Sequence, residues 1–158
     1  MISTYMRRRL ARARRDDHGA AVVEFALVVP VLFLIIFAVI DFGRALWTLN
    51  VLSSGVREGA RAAAVESDVT TAASTAKTKT VAYINGILGT SLTTADVTVP
   101  AVNTTTPASA DYGLIKVSLS VGGSAGFPFT PVTPFASRMG LGNIRFQPNA
   151  NYRWEKAN

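Results

Sequence analysis

Glu24 is the only charged residue between Ala20 and Ile40. An acidic side chain near the centre of a membrane-crossing helix costs roughly 2.5–3.5 kcal/mol and marks a functional position by default. Glu24 sits one turn from the start of its apolar run, where leaning towards the interface would lower that cost. Gly19 stands where a strongly basic segment meets the run, with Ala20 after it and Phe25 after Glu24. If the chain were cut after Gly19, Ala20 would become an amino terminus and Glu24 would lie four residues on. Residues i and i+4 share a face of a helix, and a carboxylate in a first turn also meets the positive end of the helix dipole. The residues leave two readings open. Glu24 is a tolerated interfacial acid, or it pairs with a terminal amine, its own or that of a neighbouring chain.

Other chemistry finds little support. The only His is His18, within the basic segment, and there is no Cys, so thiol catalysis, disulfides and Cys-based metal sites are excluded. Asp96, Asp111 and Glu155 are scattered without paired spacing. Gly122-Gly123 follows a strand-like stretch but has no adjoining Lys or helix start, so it does not read as a phosphate loop. Asn103-Thr104-Thr105 fits a glycosylation sequon of the kind Thr-rich loops produce by chance. These residues predict no enzyme, no cofactor and no metal site.

The elements that would position Glu24 begin with charge. The chain is formally +6 with a pI near 10.2, which could suggest nucleic acid. However, residues 1–19 hold Arg7, Arg8, Arg9, Arg12, Arg14 and Arg15 against Asp16 and Asp17, a net of +4 that leaves only +2 elsewhere. Nucleic acid is therefore not an expected partner. Arginines flanking a membrane helix hold that end inside the cell, so residues 1–19 read as a cytoplasmic leader and the chain beyond the run as external. The run from Ala20 to Ile40 meets the requirement of about 20 apolar residues for crossing a bilayer. It is too long for the apolar core of an ordinary secretory signal, although Gly43-Arg44-Ala45 is a weak cleavage candidate, and Arg14-Arg15-Asp16-Asp17 lacks the context of a twin-arginine signal. Pro30 lies in mid-helix, where it removes a hydrogen bond; it reads as a harmless bend or as a flex point for packing beside other helices.

Beyond the run, Phe42, Leu46, Leu49, Leu52, Val56, Ala60 and Ala63 follow helical spacing to about Val65. A helix from Ala21 to Val65 would be ~68 Å long at about 1.5 Å per residue, half of it a stalk. Gly55, Gly59 and Ala63 leave one face bare enough for another helix to approach closely. Arg57 and Arg61 on a neighbouring strip are a solvated face or partners for acids on another chain. Residues 66–80 are small and polar and run into a second helix predicted over Ala72–Leu88, stopped by Gly89. Strands are predicted at Ala95–Val102, Tyr112–Val121 and Ile144–Trp154, the last broken or placed at an edge by Pro148. Asn103–Asp111 reads as a loop, and Phe127–Phe135, with three prolines, as an extended loop or edge segment. The expected fold class is α+β: a long N-terminal transmembrane and stalk helix, then a small head of one helix and about three antiparallel strands. The expected divisions are 1–19, 20–65 and 66–158. A head this small would be marginally stable alone and would gain from leaning on the stalk.

Gly19 at the junction, Glu24 five residues on and Phe25 after it resemble the prepilin-peptidase motif of type IV pilin-like proteins. The longer run Gly-Ala-Ala-Val-Val-Glu-Phe-Ala-Leu-Val-Val-Pro (19–30), then Asp41-Phe42-Gly43-Arg44-Ala45 and Val56-Arg57-Glu58-Gly59-Ala60-Arg61-Ala62-Ala63, is similar to the TadE-like family, pseudopilins of tight-adherence (Flp) pilus machinery. The resemblance covers roughly residues 18–65. It implies cleavage after Gly19 by prepilin peptidase, with Gly19, Ala20, Glu24 and Phe25 as the processing signal. It further implies assembly through the N-terminal helix, where Glu24, Pro30, Gly55, Arg57, Gly59 and Arg61 are the candidate residues. The implied partners are prepilin peptidase, other pilin-like subunits, Flp assembly proteins and membrane lipid, in a single-pass inner-membrane protein with possible presence in surface pili. The reading from a different class is an unprocessed, membrane-anchored binding module; an exported enzyme is a remote third.

Overall fold

The computed structural model describes residues 2–102, 113–132, 134–138 and 140–154, with the side chains of 2–18, 134, 135 and 141 excepted. Helix α1 runs from Ile2 to Ala64 and passes through Pro30 without interruption, so the basic segment and the apolar run belong to one helix. By contacts the chain separates into Met1–Ile40 and Asp41–Asn158.

In the first unit the described side chains are almost all exposed, including Val22, Phe25, Leu27, Phe33 and Phe37. Gly19–Ala64 contains a stretch long and apolar enough to cross a membrane. A helix that is apolar all round requires an apolar surrounding, and none of this stretch is covered by the protein itself.

The second unit is built on the last three turns of α1. Leu52, Val56, Ala60 and Ala63 are buried, the spacing of four and three that puts them on one face. Phe42 and Leu46, expected on the same stripe, are exposed, so the core-facing stripe starts later than the spacing suggests. A tight turn at Glu66 leads to helix α2, Val69–Leu88. Asp68 caps it by accepting from the Thr70 N–H, and Gly89, left-handed at φ 63°, closes it. The predicted stop is met; the start lies three residues before Ala72 because the Asp68 cap recruits Val69–Thr71 into the helix. Ala72, Ala76, Thr80 and Ile84 are buried along one face of α2. Gly55 meets Ile84, and Gly59 meets Thr80 and Ala76, so the two helices run antiparallel with glycines at the crossing.

A sheet completes the core. Strand β1 is only Val97–Thr98, because Thr93 and Asp96 cap a 3₁₀ turn over Thr94–Asp96 that removes the first residues of the predicted strand. Strand β2, Leu114–Val121, is central, and it buries Ile115, Val117 and Leu119 against the helices in the expected alternation. Gly122 and Gly123, both at positive φ, form the two-residue turn to β3, Ser124–Ala125, the conformation a tight hairpin demands. Strands β4, Phe127–Pro128, and β5, Arg145–Phe146, pair as a separate ribbon. Between them Pro134–Arg138 forms a short helix, α3, rather than the extended segment its prolines suggest; Pro134 is its first residue, where proline's missing N–H costs nothing. The predicted Ile144–Trp154 strand is split at Pro148, and its second half, β6 (Asn149–Arg153), pairs antiparallel with β2. Ser118 pairs with both Thr98 and Asn149, so β1 and β6 flank β2 on opposite sides. The fold is α+β with a long stalk helix. The loop expected at Asn103–Asp111 lies outside the described residues, as does Tyr112.

Two side chains tie these pieces together. The Arg145 guanidinium donates from Nε to Ala125 O (3.0 Å) and from Nη2 to Val121 O (2.6 Å), Ser124 O and Gly126 O, locking the hairpin to the second ribbon. Trp154 Nε1 donates to Glu66 O at 3.0 Å, which fastens the end of β6 to the turn between the helices.

Candidate functional site

The helix places Ala20 and Glu24 on one face, one turn apart. Gly19, Ala20, Glu24 and Phe25 are all exposed. A Cβ built on Gly19 would meet nothing within 4 Å, so the fold itself places no demand for glycine there. Among the described residues no cation stands within ion-pair distance of Glu24. Pro30 is exposed within the helix; it withholds an N–H from the carbonyl of Ala26, a group that must find another donor in an apolar medium.

The expected bare face at Gly55, Gly59 and Ala63 is occupied by α2 of the same chain. The Gly59 position is the tighter: a Cβ there would run into Thr80 Oγ1 and come 2.7 Å from the Ala76 carbonyl oxygen. Thr80 Oγ1 is buried without a hydrogen-bond partner among the described residues. Arg61 forms a two-pronged pair with Glu58 (3.1 and 2.9 Å). Its hydrogen bonds hold the Glu58 carboxyl below the usual range and raise the Arg61 guanidinium, a largely solvent-exposed pair whose stabilising effect is small. Arg57 is exposed on the same helix.

Asp41 carries a role that sequence reasoning missed. It is buried, and its Oδ1 accepts a hydrogen bond from the Val132 N–H at 2.9 Å, with Arg44 Nη1 3.8 Å from the same oxygen. The available signal was its position, since a carboxylate directly after a 21-residue apolar run needs a partner to be tolerated. Among the described residues no group of three His, Cys, Asp or Glu converges as a metal site. Asp96, one of the scattered acids, spends its carboxylate on the Thr93 N–H and hydroxyl, which lower its pKa.

The arrangement is thus a long helix with an uncovered apolar stretch that could span a membrane, followed by a small packed head. Among known families, the family model described as TadE-like protein matches residues 19–61. The match opens at Gly19, closes at Arg61, and takes in Glu24, Pro30 and the Asp41–Ala45 block. No curated protein and no solved structure matches the chain.

Proposed function

We propose that this chain is a pilin-like component associated with a tight-adherence (Flp-type) pilus, a minor pilin processed after Gly19 and assembled through the apolar part of α1. The observation that carries the reading is a TadE-like match whose first residue is Gly19, on a helix whose apolar surface is left uncovered by its own fold. Prepilin peptidase would hydrolyse the Gly19–Ala20 bond. A glycine that the fold does not require is what a protease recognising only a very small residue would select. Cleavage would remove the six arginines and leave Ala20–Ala64 as an uninterrupted helix.

The new α-amine, with an ordinary pKa of about 8, is a cation at neutral pH. Glu24 supplies the carboxylate that such a cation needs inside an apolar medium. When the amine comes from a neighbouring subunit, the pair sets the register between helices. The arginine-rich end stays in the cytoplasm and the head lies outside. The inner membrane is the site of insertion, with passage into surface pili as the later step.

Amino-terminal sequencing of membrane-extracted protein tests the reading. Ala20 is the expected terminus in wild type, and Met1 in Gly19→Val. A wild-type protein that retains Met1 would be an unprocessed anchor, and the pilin reading would fall. Glu24→Gln should insert and fold as wild type yet give lower cross-linking yield between membrane subunits and fewer surface pili. If both stayed unchanged, Glu24 would have no pairing role.

A further inference from the structure

Asp41 is peptide-bonded to Ile40, the last residue of the apolar run. What it holds is the backbone of Val132, which lies 91 positions away in sequence. In the segment leading there, Phe129 and Pro131 turn into the protein, while Thr130 and Val132 face out. Val132 is 61% exposed. On α1 the two turns after Ile40 also carry an apolar outer surface: Phe42 is 65% exposed, Trp47 52%, and Leu46 is exposed beside them. From Asp41 to Trp47 the helix rises only ~9 Å at about 1.5 Å per residue.

We infer that Phe42, Leu46, Trp47 and Val132 form an apolar rim seated in the interfacial layer of the bilayer, with the Val132 loop as a second point of insertion beside the helix. This rests on the reading that α1 crosses the membrane. Three observations select lipid as the occupant. First, the rim is covalently continuous with the spanning run. Second, its depth matches: a hydrocarbon core of ~30 Å inside a bilayer of ~40–45 Å leaves ~5–8 Å of headgroup layer on each side, enough for the turn carrying Phe42 and Leu46, with Trp47 at its outer limit. Third, its composition fits, because tryptophan concentrates at that depth and Arg44 can reach headgroup phosphates on its apolar stem. The buried Asp41 carboxylate is then a clamp, holding a loop of the head at the height where its valine meets lipid.

The absence of native cysteine makes the test direct. Single Ile35→Cys, Lys79→Cys and Val132→Cys variants of the full chain carry an environment-sensitive fluorophore in phosphatidylcholine/phosphatidylglycerol vesicles, with nitroxides placed on shallow or deep lipid positions. The expected result is quenching at residue 132 by shallow nitroxides, at residue 35 by deep ones, and at residue 79 by neither. Adding Asp41→Ala should reduce quenching at residue 132 severalfold while residue 35 is unaffected. A probe at 132 that behaves like that at 79, with residue 35 still quenched, overturns the rim but leaves the membrane helix standing. A blue-shifted yet unquenched probe at 132 means protein covers the loop, which also overturns it. Loss of quenching at residue 35 removes the membrane reading and the rim together. Unchanged quenching at 132 in the Asp41→Ala background overturns the clamp.

Discussion

Gly59→Ala should destabilise the head although alanine is the better helix former. Replacing a helical glycine with alanine is worth about 1 kcal/mol to the helix. At position 59 the added methyl meets the Thr80 side chain and comes 2.7 Å from the Ala76 carbonyl oxygen. Thr80 can rotate away, because its hydroxyl makes no hydrogen bond among the described residues. The Ala76 oxygen is backbone in mid-helix and cannot move without α2. Overpacking of this kind costs about 1–3 kcal/mol, and a backbone obstacle puts it near the upper value, for a net loss of about 2 kcal/mol. Gly86 provides the internal reference: a Cβ there meets nothing within 4 Å, so Gly86→Ala should gain about 1 kcal/mol. At ~4 °C per kcal/mol for a unit of this size, calorimetry of the detergent-solubilised full chain should show Tm falling by about 8 °C for Gly59→Ala and rising by about 4 °C for Gly86→Ala. If both variants shifted upward alike, α1 and α2 would not cross at Gly59, and the packing described here would be wrong.

Thr80→Val removes a buried hydroxyl that lacks a partner among the described residues while keeping its shape, and should raise stability by about 1 kcal/mol in the same assay; a loss would reveal a hydrogen bond at that hydroxyl. Arg145→Lys cannot reproduce the forked donation to Val121, Ser124, Ala125 and Gly126 and should cost about 2 kcal/mol, with faster amide exchange in the Gly122–Gly123 hairpin as the local readout. Asp68 and Asp96 are held below the ordinary aspartate value, Asp68 by the Thr70 N–H and hydroxyl and Asp96 by those of Thr93. A depressed folded pKa contributes stability that is present above the unfolded value of about 3.9 and lost as pH falls through the folded one. Head stability should therefore be flat near neutrality and decline below about pH 4. The Asp68→Asn/Asp96→Asn variant, which keeps a good helix cap, should flatten that acid limb.

Legibility in the sequence followed periodicity and punctuation. The stop of α2 at Gly89, the alternation of Ile115, Val117 and Leu119 and the break at Pro148 were readable because each rests on local stereochemistry. The long apolar stretch within α1 was readable from composition alone. Misses came where a local competitor or a distant partner decided the outcome. Thr93 and Asp96 formed a 3₁₀ turn in place of strand. Pro134 started a helix, since proline is as compatible with a first helical turn as with a loop. Phe42 and Leu46 matched the core stripe in spacing, and nothing local could tell them from Leu52 and Val56. Asp41 clasping Val132 and Arg145 clasping the hairpin join segments far apart in sequence, a kind of contact that no window of a single chain reports. Equally hidden was that the face opened by Gly55 and Gly59 is filled from within the chain.

The last three turns of α1 have a consequence for where this polypeptide can be severed. Because Leu52, Val56, Ala60 and Ala63 are core residues of the head, the border between anchor and globular part does not coincide with the end of the helix. A protease or a truncation acting a turn or so before Leu52 would shed the head with its core helix attached and intact. The same cut a few residues later, between Leu52 and Ala64, would tear out the element against which α2 and β2 close, and the released piece would be a substrate for degradation rather than a soluble ectodomain. Shedding of an intact head is thus confined to a window of the helix about three turns long, between the clasp at Asp41 and the buried Leu52.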